Sequence, residues 1–540
     1  MQPATRRWLI IIVFAGAALR LFPIWFGLPY PQARPDEETA LGKAVEVIDG
    51  QLNPRFFHWP SLTFYLFAMA LWTARAVHGL VGDARELTFA DNVLLARGVV
   101  ALAGTATIVV LFQLARRVTT EGTALLAAAF LAVAILHVRE SHFAMTDVLM
   151  TLLVVTSLAH LLRGVCSPDD EVIPKGATLW CAVAGLAGGL AASTKYSGAA
   201  VAASMAAAQV SWFVRSPRLA LSWRAWMPSL AYGAALLAGF FVATPYAILD
   251  HELFVRDLRF DATHLSEGHG AVNLGRGWIY HLTQSLPHGV GLTVAIAAVL
   301  GVIPFARYYR RAAFVLGAFA AGFYLVIGSG YTVFFRYILP LVPLACLSAA
   351  VGVSHAGTWL ASRLGGRQVV VTGALILVTA GPALVHCVWF DLLLARTDTR
   401  VLAGQWLESR LQPEDSLHDA GSNYTQLDLW RAGFHRWFYD PAANSFGDPD
   451  GRTPDWLVLH DSPVSAYASI PPGLRVLAQS EYVLVYNVRG TRGRARAAVY
   501  DLQDAFFLPF TRFTTIERPG PNISVYRRRD LPPLQFRSSH

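Results

Sequence analysis

Residues 93–115 read VLLARGVVALAGTATIVVLFQLA. The stretch carries a single charge, Arg97, and ends at Arg116-Arg117. An apolar run of about 20 residues is what a helix needs to cross hydrocarbon. A basic pair directly after it is the usual mark of the cytoplasmic side. The pattern repeats in both directions. Comparable runs lie near 8–27, 61–82, 120–138, 147–163, 177–193, 197–214, 226–246, 286–306, 311–328, 332–351 and 368–390. Composition agrees, because the 540 residues are 54% hydrophobic and only 15% charged. Soluble domains carry about 25% charged residues. A deficit of that size over this length means that much of the surface faces lipid.

Beyond residue 390 the pattern changes. Charged residues, Pro and Gly return, and apolar runs shorten to strand length, as in Trp456-Leu-Val-Leu459 and Tyr482-Val-Leu-Val-Tyr486. An amphipathic helix is predicted from Thr399 to Leu411, ending before Pro413. The chain therefore divides into an all-α polytopic membrane domain, 1–390, and a soluble α/β domain, 391–540.

The 44 Lys+Arg against 36 Asp+Glu give a net charge of +8. These cations cluster at the ends of apolar runs, where they act as orientation signals, so nucleic-acid binding is excluded as the reading. Only Lys43, Lys175 and Lys195 are lysines. Cys166, Cys181, Cys346 and Cys387 are spaced neither as a disulfide framework nor as a zinc-thiolate site. Met1 to Arg7 is basic and lacks a small-residue cleavage site, which predicts an uncleaved first span.

Arg6 and Arg7 put the N-terminus in the cytoplasm. The basic connections Arg116-Arg117, Arg215 to Arg224, Arg307 to Arg311 and Arg363 to Arg367 then lie inside. The opposite side receives 139–146, 194–196, 247–285, 329–331 and the C-terminal domain. Parity requires that one early run does not cross. The weakest is 61–82, which carries Arg75 and His78 and follows a Trp-Pro break. It is predicted to lie along or dip into the outer interface, leaving about eleven crossings.

The outer segments gather polar residues. They include Arg34-Pro-Asp-Glu-Glu38, Asn53 to Pro60, Arg139 to Asp147, Ser193-Thr-Lys-Tyr196, and a long loop with Arg256, Arg259, Asp261, His264, Glu267, His269 and His281. Ionisable residues at membrane depth are costly and default to a functional hypothesis. Asp147 and Lys195 sit at the mouths of apolar helices.

The order of short motifs resembles a known family. Arg-Pro-Asp36-Glu37-Glu, His58-Trp-Pro, Leu-Ala-Arg97-Gly, Arg139…Thr-Asp147, Ser-Thr-Lys195-Tyr196-Ser-Gly, Phe335-Arg336-Tyr-Ile-Leu-Pro and Asp398-Thr-Arg-Val-Leu-Ala-Gly-Gln-Trp-Leu407 follow one another as in family 39-like glycosyltransferases. These belong to the GT-C superfamily, with the protein O-mannosyltransferases and the aminoarabinose transferases of lipid A. The resemblance covers nearly the whole chain.

It implies a GT-C fold and an enzyme of the plasma (inner) membrane. Such an enzyme moves a hexosyl or pentosyl unit from a polyprenyl-phosphate donor to a glycan, lipid or protein acceptor on the extracytoplasmic face, with inversion. A hydroxyl acceptor needs a carboxylate to take its proton. The resemblance gives that role to Asp36, with Glu37 beside it and Asp147 as a further catalytic acid. The departing phosphate needs positive charge. Lys195, with Tyr196, is the implied donor-phosphate ligand, and Arg256, Arg259 and Arg336 are further candidates for it. Arg97 and Arg139 are placed to pair with the acids, with His142 as a further supporting residue. His58 and His264 are the candidate ligands of a divalent metal. Each residue also has a plainer reading. Acids favour helix N-termini, lysines snorkel at helix ends, and arginines mark the ends of spans.

The main alternative is a polytopic lipid or sugar transporter or flippase. Transporters carry repeated halves and place their polar groups at mid-membrane. This sequence shows no repeat, and its polar residues collect on one face. The Gly185-Leu-Ala-Gly-Gly189 stretch reads as close helix packing. The sequon Asn522-Ile-Ser524 reads as a chance match.

Overall fold

The computed structural model describes residues 1–80, 86–166, 172–270, 272–365, 367–429, 432–447, 452–492 and 498–532. Residues 81–82 of the 61–82 run lie outside that set, as do residue 271 of the long loop and residue 366 of the last basic connection. The chain folds into two compact units. One is Met1–Ile24 with Asp36–Asp391, and the other is Trp25–Pro35 with Leu392–His540.

The first unit is helical. Among the described residues, seven helices are long and apolar enough to cross a membrane: Phe89–Val118, Thr146–Val165, Tyr196–Arg215, Trp223–Ala243, Arg310–Gly328, Phe335–Leu364 and Gln368–Glu408. A bent pair, Gly277–Val290 with Leu292–Tyr308, meets at 114° and makes an eighth if taken as one span. The break falls at Gly291, whose φ of 92° suits glycine alone. Two shorter apolar helices are Glu121–Ala132 and Ala177–Ala192. Leu62–Leu80 and Pro3–Leu21 are outside the set of seven. Arg75 and His78 lower the apolar character of the former, and Arg6, Arg7 and Arg20 that of the latter.

Several helices differ from simple rods, for local reasons. The 120–138 run is two helices, Glu121–Ala132 and Ile135–Glu140. Buried Arg20 donates from Nη1 to the carbonyls of Gly16 and Ala132, at 2.8 and 3.1 Å, and from Nη2 to that of Leu131, at 3.0 Å. Its bonds to Leu131 and Ala132 fall on the last two residues of Glu121–Ala132, where a helix end leaves carbonyls short of partners. The helix Ala202–Arg215 is preceded by a 3-10 turn, Tyr196–Val201, and Val342–Leu364 by another, Phe335–Leu341, with Pro340 inside it. Helix packing in lipid relies on close approach of small residues. A methyl added at Gly185 or Gly189 would run into the carbonyls of Tyr232 and Leu236 on the facing helix Trp223–Ala243.

The second unit is built on strands β1 (Ser416–Asp419), β2 (His435–Arg436), β3 (Tyr439–Asp440), β4 (Ser445–Phe446), β5 (Trp456–Asp461), β6 (Tyr482–Val488) and β7 (Asn522–Arg528). Five of them form a mixed sheet in the order β2-β1-β5-β7-β6. β1 runs parallel to β2 and β5, and β7 antiparallel to β5 and β6. The helix Thr399–Glu408 places Ala403 and Leu407 in one core with Trp456, Val458, Ile523 and Val525. Alternate residues of β5, Leu457 and Leu459, pack with Leu474 and Ala478 of the helix Pro472–Glu481 in a second core. The period-2 alternation of β5 thus serves both faces of the sheet. Both apolar runs read as strands in the sequence are strands. Asn522 of the sequon is engaged structurally, its Oδ1 accepting from the N–H groups of Gly490 and Thr491 at 2.9 and 3.0 Å.

The excursion Trp25–Pro35 belongs to this second unit. Arg34 pairs with Asp504 at 2.5 Å, and both are buried. The Tyr30 hydroxyl donates to the carbonyl of Gln426 at 2.8 Å. Arg400 donates to Asp398 and to the carbonyls of Gln32 and Ala33.

Candidate active site

Asp36 is the residue at which the chain re-enters the helical unit. It precedes the helix Glu37–Ile48 and takes a left-handed conformation, φ 73° and ψ −15°. Asp is one of the few non-glycine residues that tolerate this. The next residue, Glu37, is almost fully buried. Arg97 grips its carboxylate with two bonds, Nε to Oε1 at 2.9 Å and Nη2 to Oε2 at 2.6 Å. The N–H of Ala144 adds a third at 2.7 Å, and Arg97 also donates to the carbonyl of Ile24 at 2.8 Å. Glu37 is therefore saturated, and its neighbour Asp36 is held in place by it.

Asp36 itself keeps about a third of its side chain exposed, 32%. Its Oδ2 lies 3.5 Å from Nη2 of Arg336, which the 3-10 turn Phe335–Leu341 presents. Arg336 Nε lies 4.0 Å from Oδ2 of Asp147, and Asp147 Oδ1 accepts from Lys195 Nζ at 2.7 Å. Four residues from four segments thus alternate in sign: Asp36, Arg336, Asp147, Lys195. Asp147 in the middle is buried to 1%, whereas Lys195 retains 22% exposure. The Lys195 ammonium lies 4.4 Å from the centroid of the Tyr337 ring, and the Arg336 guanidinium 4.1 Å from that of Phe334. Aromatic faces hold both cations without removing their charge.

A second group lies around the helix His251–Glu267. The backbone of Phe57 is clamped between Tyr196, whose hydroxyl donates to its carbonyl at 2.6 Å, and Asp257, which accepts from its N–H at 2.9 Å. This fixes His58, whose Nδ1 lies 3.0 Å from Asp261. Burial pushes the Asp261 carboxyl up to about 6, opposed by His58. His264 pairs instead with His269, Nε2 to Nδ1 at 2.9 Å. Burial, and then His58 and Arg336, lower its affinity for a proton. No group of three or more His, Cys, Asp or Glu suited to a metal ion occurs among the described residues. His58 and His264 therefore each have a different partner rather than a shared set of ligands.

The structure brings Asp36, Asp147, Lys195 and Arg336 together. It gives Glu37 and Arg97 to each other. Arg256 is directed to Asp257, Nη2 to Oδ1 at 2.8 Å, and Arg259 is exposed on the same helix. Arg139 is buried, its Nε 3.7 Å from Glu140 and its guanidinium 5.8 Å from the centroid of the Phe390 ring. His142 is buried between two backbone carbonyls, of Val138 and Phe22. Sequence reasoning missed Arg20, His137 and Asp391, all buried. An arginine inside one apolar run and an aspartate directly after another were the available signals.

Comparison with known proteins bears on this arrangement. The profile of the dolichyl-phosphate-mannose-protein mannosyltransferases matches residues 56–248. Among solved structures, ArnT from Cupriavidus metallidurans in the apo state superposes with a TM-score of 0.51 at 16% identity, over 97% of this chain and 98% of that one. This chain has a GT-C fold. The GT-C resemblance read from its motifs is borne out. The same ArnT bound to undecaprenyl phosphate gives 0.50 at 14% identity, over 97% of both chains. The GT-C protein AglB, the oligosaccharyltransferase of Archaeoglobus fulgidus, in complex with an inhibitory peptide and a dolichol-phosphate, gives 0.50 at 13% identity. That match covers 76% of this chain, which spans 58% of the archaeal enzyme's length. No curated protein matches the sequence.

Proposed function

We propose that the chain transfers a monosaccharide from a polyprenyl-phosphate donor to an acceptor nucleophile, with inversion, and that Asp36 is the general base. The observation that carries this reading is the alternating row Asp36–Arg336–Asp147–Lys195. It has an open carboxylate at one end and an open ammonium at the other. Similar folds that hold undecaprenyl phosphate and dolichol-phosphate support the donor class.

In this reading the acceptor hydroxyl gives its proton to Asp36 while its oxygen attacks the anomeric carbon. The bond from that carbon to the phosphate oxygen breaks on the opposite face, which inverts the centre. Lys195 and Arg336 take up the charge left on the polyprenyl phosphate. Both cations are already present before the charge develops, so little reorganisation is needed. Asp147 is too deeply buried to meet an acceptor, so its role is to hold the two cations in register. Glu37, with all its oxygens engaged, positions Asp36. Arg256 and Arg259 have weaker claims on the phosphate than Lys195 and Arg336. A divalent metal at His58 or His264 has no step assigned to it.

We place the protein in the plasma membrane with the N-terminus in the cytoplasm and the C-terminal unit outside. The basic connections carry that orientation. About eleven crossings follow if Leu62–Leu80 lies along the interface, and Arg75 and His78 within it, after the Trp-Pro break, support that. The acceptor is a glycan, lipid or protein.

The test is release of free polyprenyl phosphate from a panel of polyprenyl-phosphate sugars by the purified chain, alongside Asp36→Asn. Release by the wild type, and its loss in a folded Asp36→Asn variant by roughly 10² to 10⁴-fold, is expected. Unchanged release in Asp36→Asn would overturn the base assignment. No release from any donor, with envelope glycans unchanged in a deletion strain, would overturn the transferase reading.

A further inference from the structure

The turn between the helices Ile135–Glu140 and Thr146–Val165 leads to Asp147, and its side chains do more than shape it. His142 is fully buried. Its Nδ1 lies 2.9 Å from the carbonyl oxygen of Val138, and its Nε2 lies 3.0 Å from that of Phe22. A neutral imidazole has one donor and one acceptor, and a carbonyl oxygen only accepts. Two carbonyls at two ring nitrogens are satisfied together only by the doubly protonated ring.

Such a charge needs a counter-ion at that depth. Asp391 supplies one. It is 3% exposed near the end of the last apolar helix, and its Oδ1, 3.7 Å from His142 Nε2, makes no hydrogen bond. Burial holds the His142 pKa down to about 4, the carbonyls of Phe22 and Val138 opposing it and Arg20 and Arg97 adding to it. Against that burial stand the two carbonyls, which a neutral ring cannot satisfy together, and the facing carboxylate 3.7 Å away.

We propose that His142 and Asp391 form a buried ion pair, and that Asp391 is a positioning residue of the site. The proposal rests on the transferase reading for its effect on rate, but not for the existence of the pair. The route is short and contiguous. His142 anchors the turn, and two residues on the N–H of Ala144 bonds Glu37, the neighbour of Asp36. Five residues on from His142, Asp147 holds Lys195. The anchor also acts at both places where the chain leaves the helical unit. Phe22 precedes one departure at Trp25, and Asp391 is the last residue before the other at Leu392.

The test has two arms. The first does not depend on activity. In 15N-histidine-labelled protein at about pH 8, ordinary histidines are neutral. One doubly protonated ring is expected that disappears in His142→Gln and in Asp391→Asn. Rings held by other carboxylates, as His460 is by Asp419, should be unchanged in both variants. A wild-type spectrum in which no doubly protonated signal is lost in both folded variants overturns the pair. The second arm compares kinetics per folded molecule. Asp391→Asn is expected to lower kcat by about ten- to a hundredfold while the donor KM stays within about twofold. Asp391→Glu, which keeps the charge, is expected to recover most of the rate. The double variant His142→Gln/Asp391→Asn is expected to be no slower than the worse single one. A full-rate Asp391→Asn, or additive losses, overturns the positioning role. A wild type that transfers no sugar would instead sink the function and leave the spectrum to decide the pair.

Discussion

Lys195 Nζ stands 2.7 Å from Asp147 Oδ1, forty-eight residues away in sequence, and that carboxylate is buried while the ammonium is not. The pair ties the helix Thr146–Val165 to the short segment before the 3-10 turn Tyr196–Val201 and leaves the cation partly exposed. A bridge of this kind has two separable properties, what it contributes to folding and what it offers a ligand.

Lys195→Met leaves Asp147 charged and buried, with Arg336 4.0 Å away as its only remaining cation among the pairs described. Breaking a buried pair costs about 3–5 kcal/mol, and partial exposure of Lys195 lowers that to about 2–3. Adding Asp147→Asn should restore most of the stability, because the stranded charge is gone. It should not restore transfer, because the ammonium is also gone. Thermal unfolding and donor turnover on the same three variants check this. Recovery of turnover in the double variant would remove Lys195 from the site.

Arg97→Lys keeps the charge but loses the two-pronged grip on Glu37, since an ammonium is a point donor. A loss of about 2–3 kcal/mol is expected, together with slower transfer, because Glu37 orients Asp36. Glu37→Gln should behave alike. Denaturation followed by tryptophan fluorescence gives the first quantity and steady-state kinetics the second. A stable, fully active Arg97→Lys would contradict the account of Glu37.

Asp36→Asn and Asp36→Ala should separate backbone from chemistry. Asn tolerates the left-handed conformation that this position adopts, whereas Ala pays about 1–2 kcal/mol for it. Both should lose transfer, but only Ala should also lower the unfolding temperature. Equal stability of the two would mean that the positive φ is not maintained in the variants.

The C-terminal unit has its own pH dependence. Asp419 is buried, which would raise its pKa, yet His460 at 2.6 Å and the N–H groups of Leu427 and Gly421 lower it overall. A depressed folded pKa means that the unfolded chain binds the proton more tightly. The contribution is therefore complete above the ordinary aspartate value of about 3.9 and is lost as pH falls through the folded value. The stability gap between wild type and Asp419→Asn should be widest near neutral pH and narrow below about pH 4. Hydrogen exchange of β1 and β5 reads it, and a gap that does not change with pH would refute the assignment.

The sequence disclosed the membrane helices because hydropathy is a local property, read residue by residue. The cation and acid positions Asp36, Asp147, Lys195 and Arg336 were legible through motif order, and they meet in space. Glu37 read as a second catalytic acid because it adjoins Asp36. Its partner is sixty residues away, and adjacency in sequence says nothing about saturation. Arg256 and Arg259 read as phosphate ligands because they open a polar loop, but a helix sends Arg256 toward Asp257. Arg20 was passed over because an arginine near the end of a span ordinarily reaches for water. Here it turns inward to cap a neighbouring helix. The membership of Trp25–Pro35 in the C-terminal unit was invisible, since the rest of that unit begins only at Leu392.

That excursion has a practical consequence for dissecting the protein. The covalent chain passes between the units three times, at Ile24–Trp25, Pro35–Asp36 and Asp391–Leu392. A polypeptide begun at Leu392 would carry Asp504 without Arg34, and Arg400 without the carbonyls of Gln32 and Ala33. A chain stopped at Asp391 would strand Arg34 and Tyr30 on a loose loop directly before Asp36. Neither half is severable by a single cut. Complementation by two separately expressed fragments should fail unless residues 25–35 are supplied with the second.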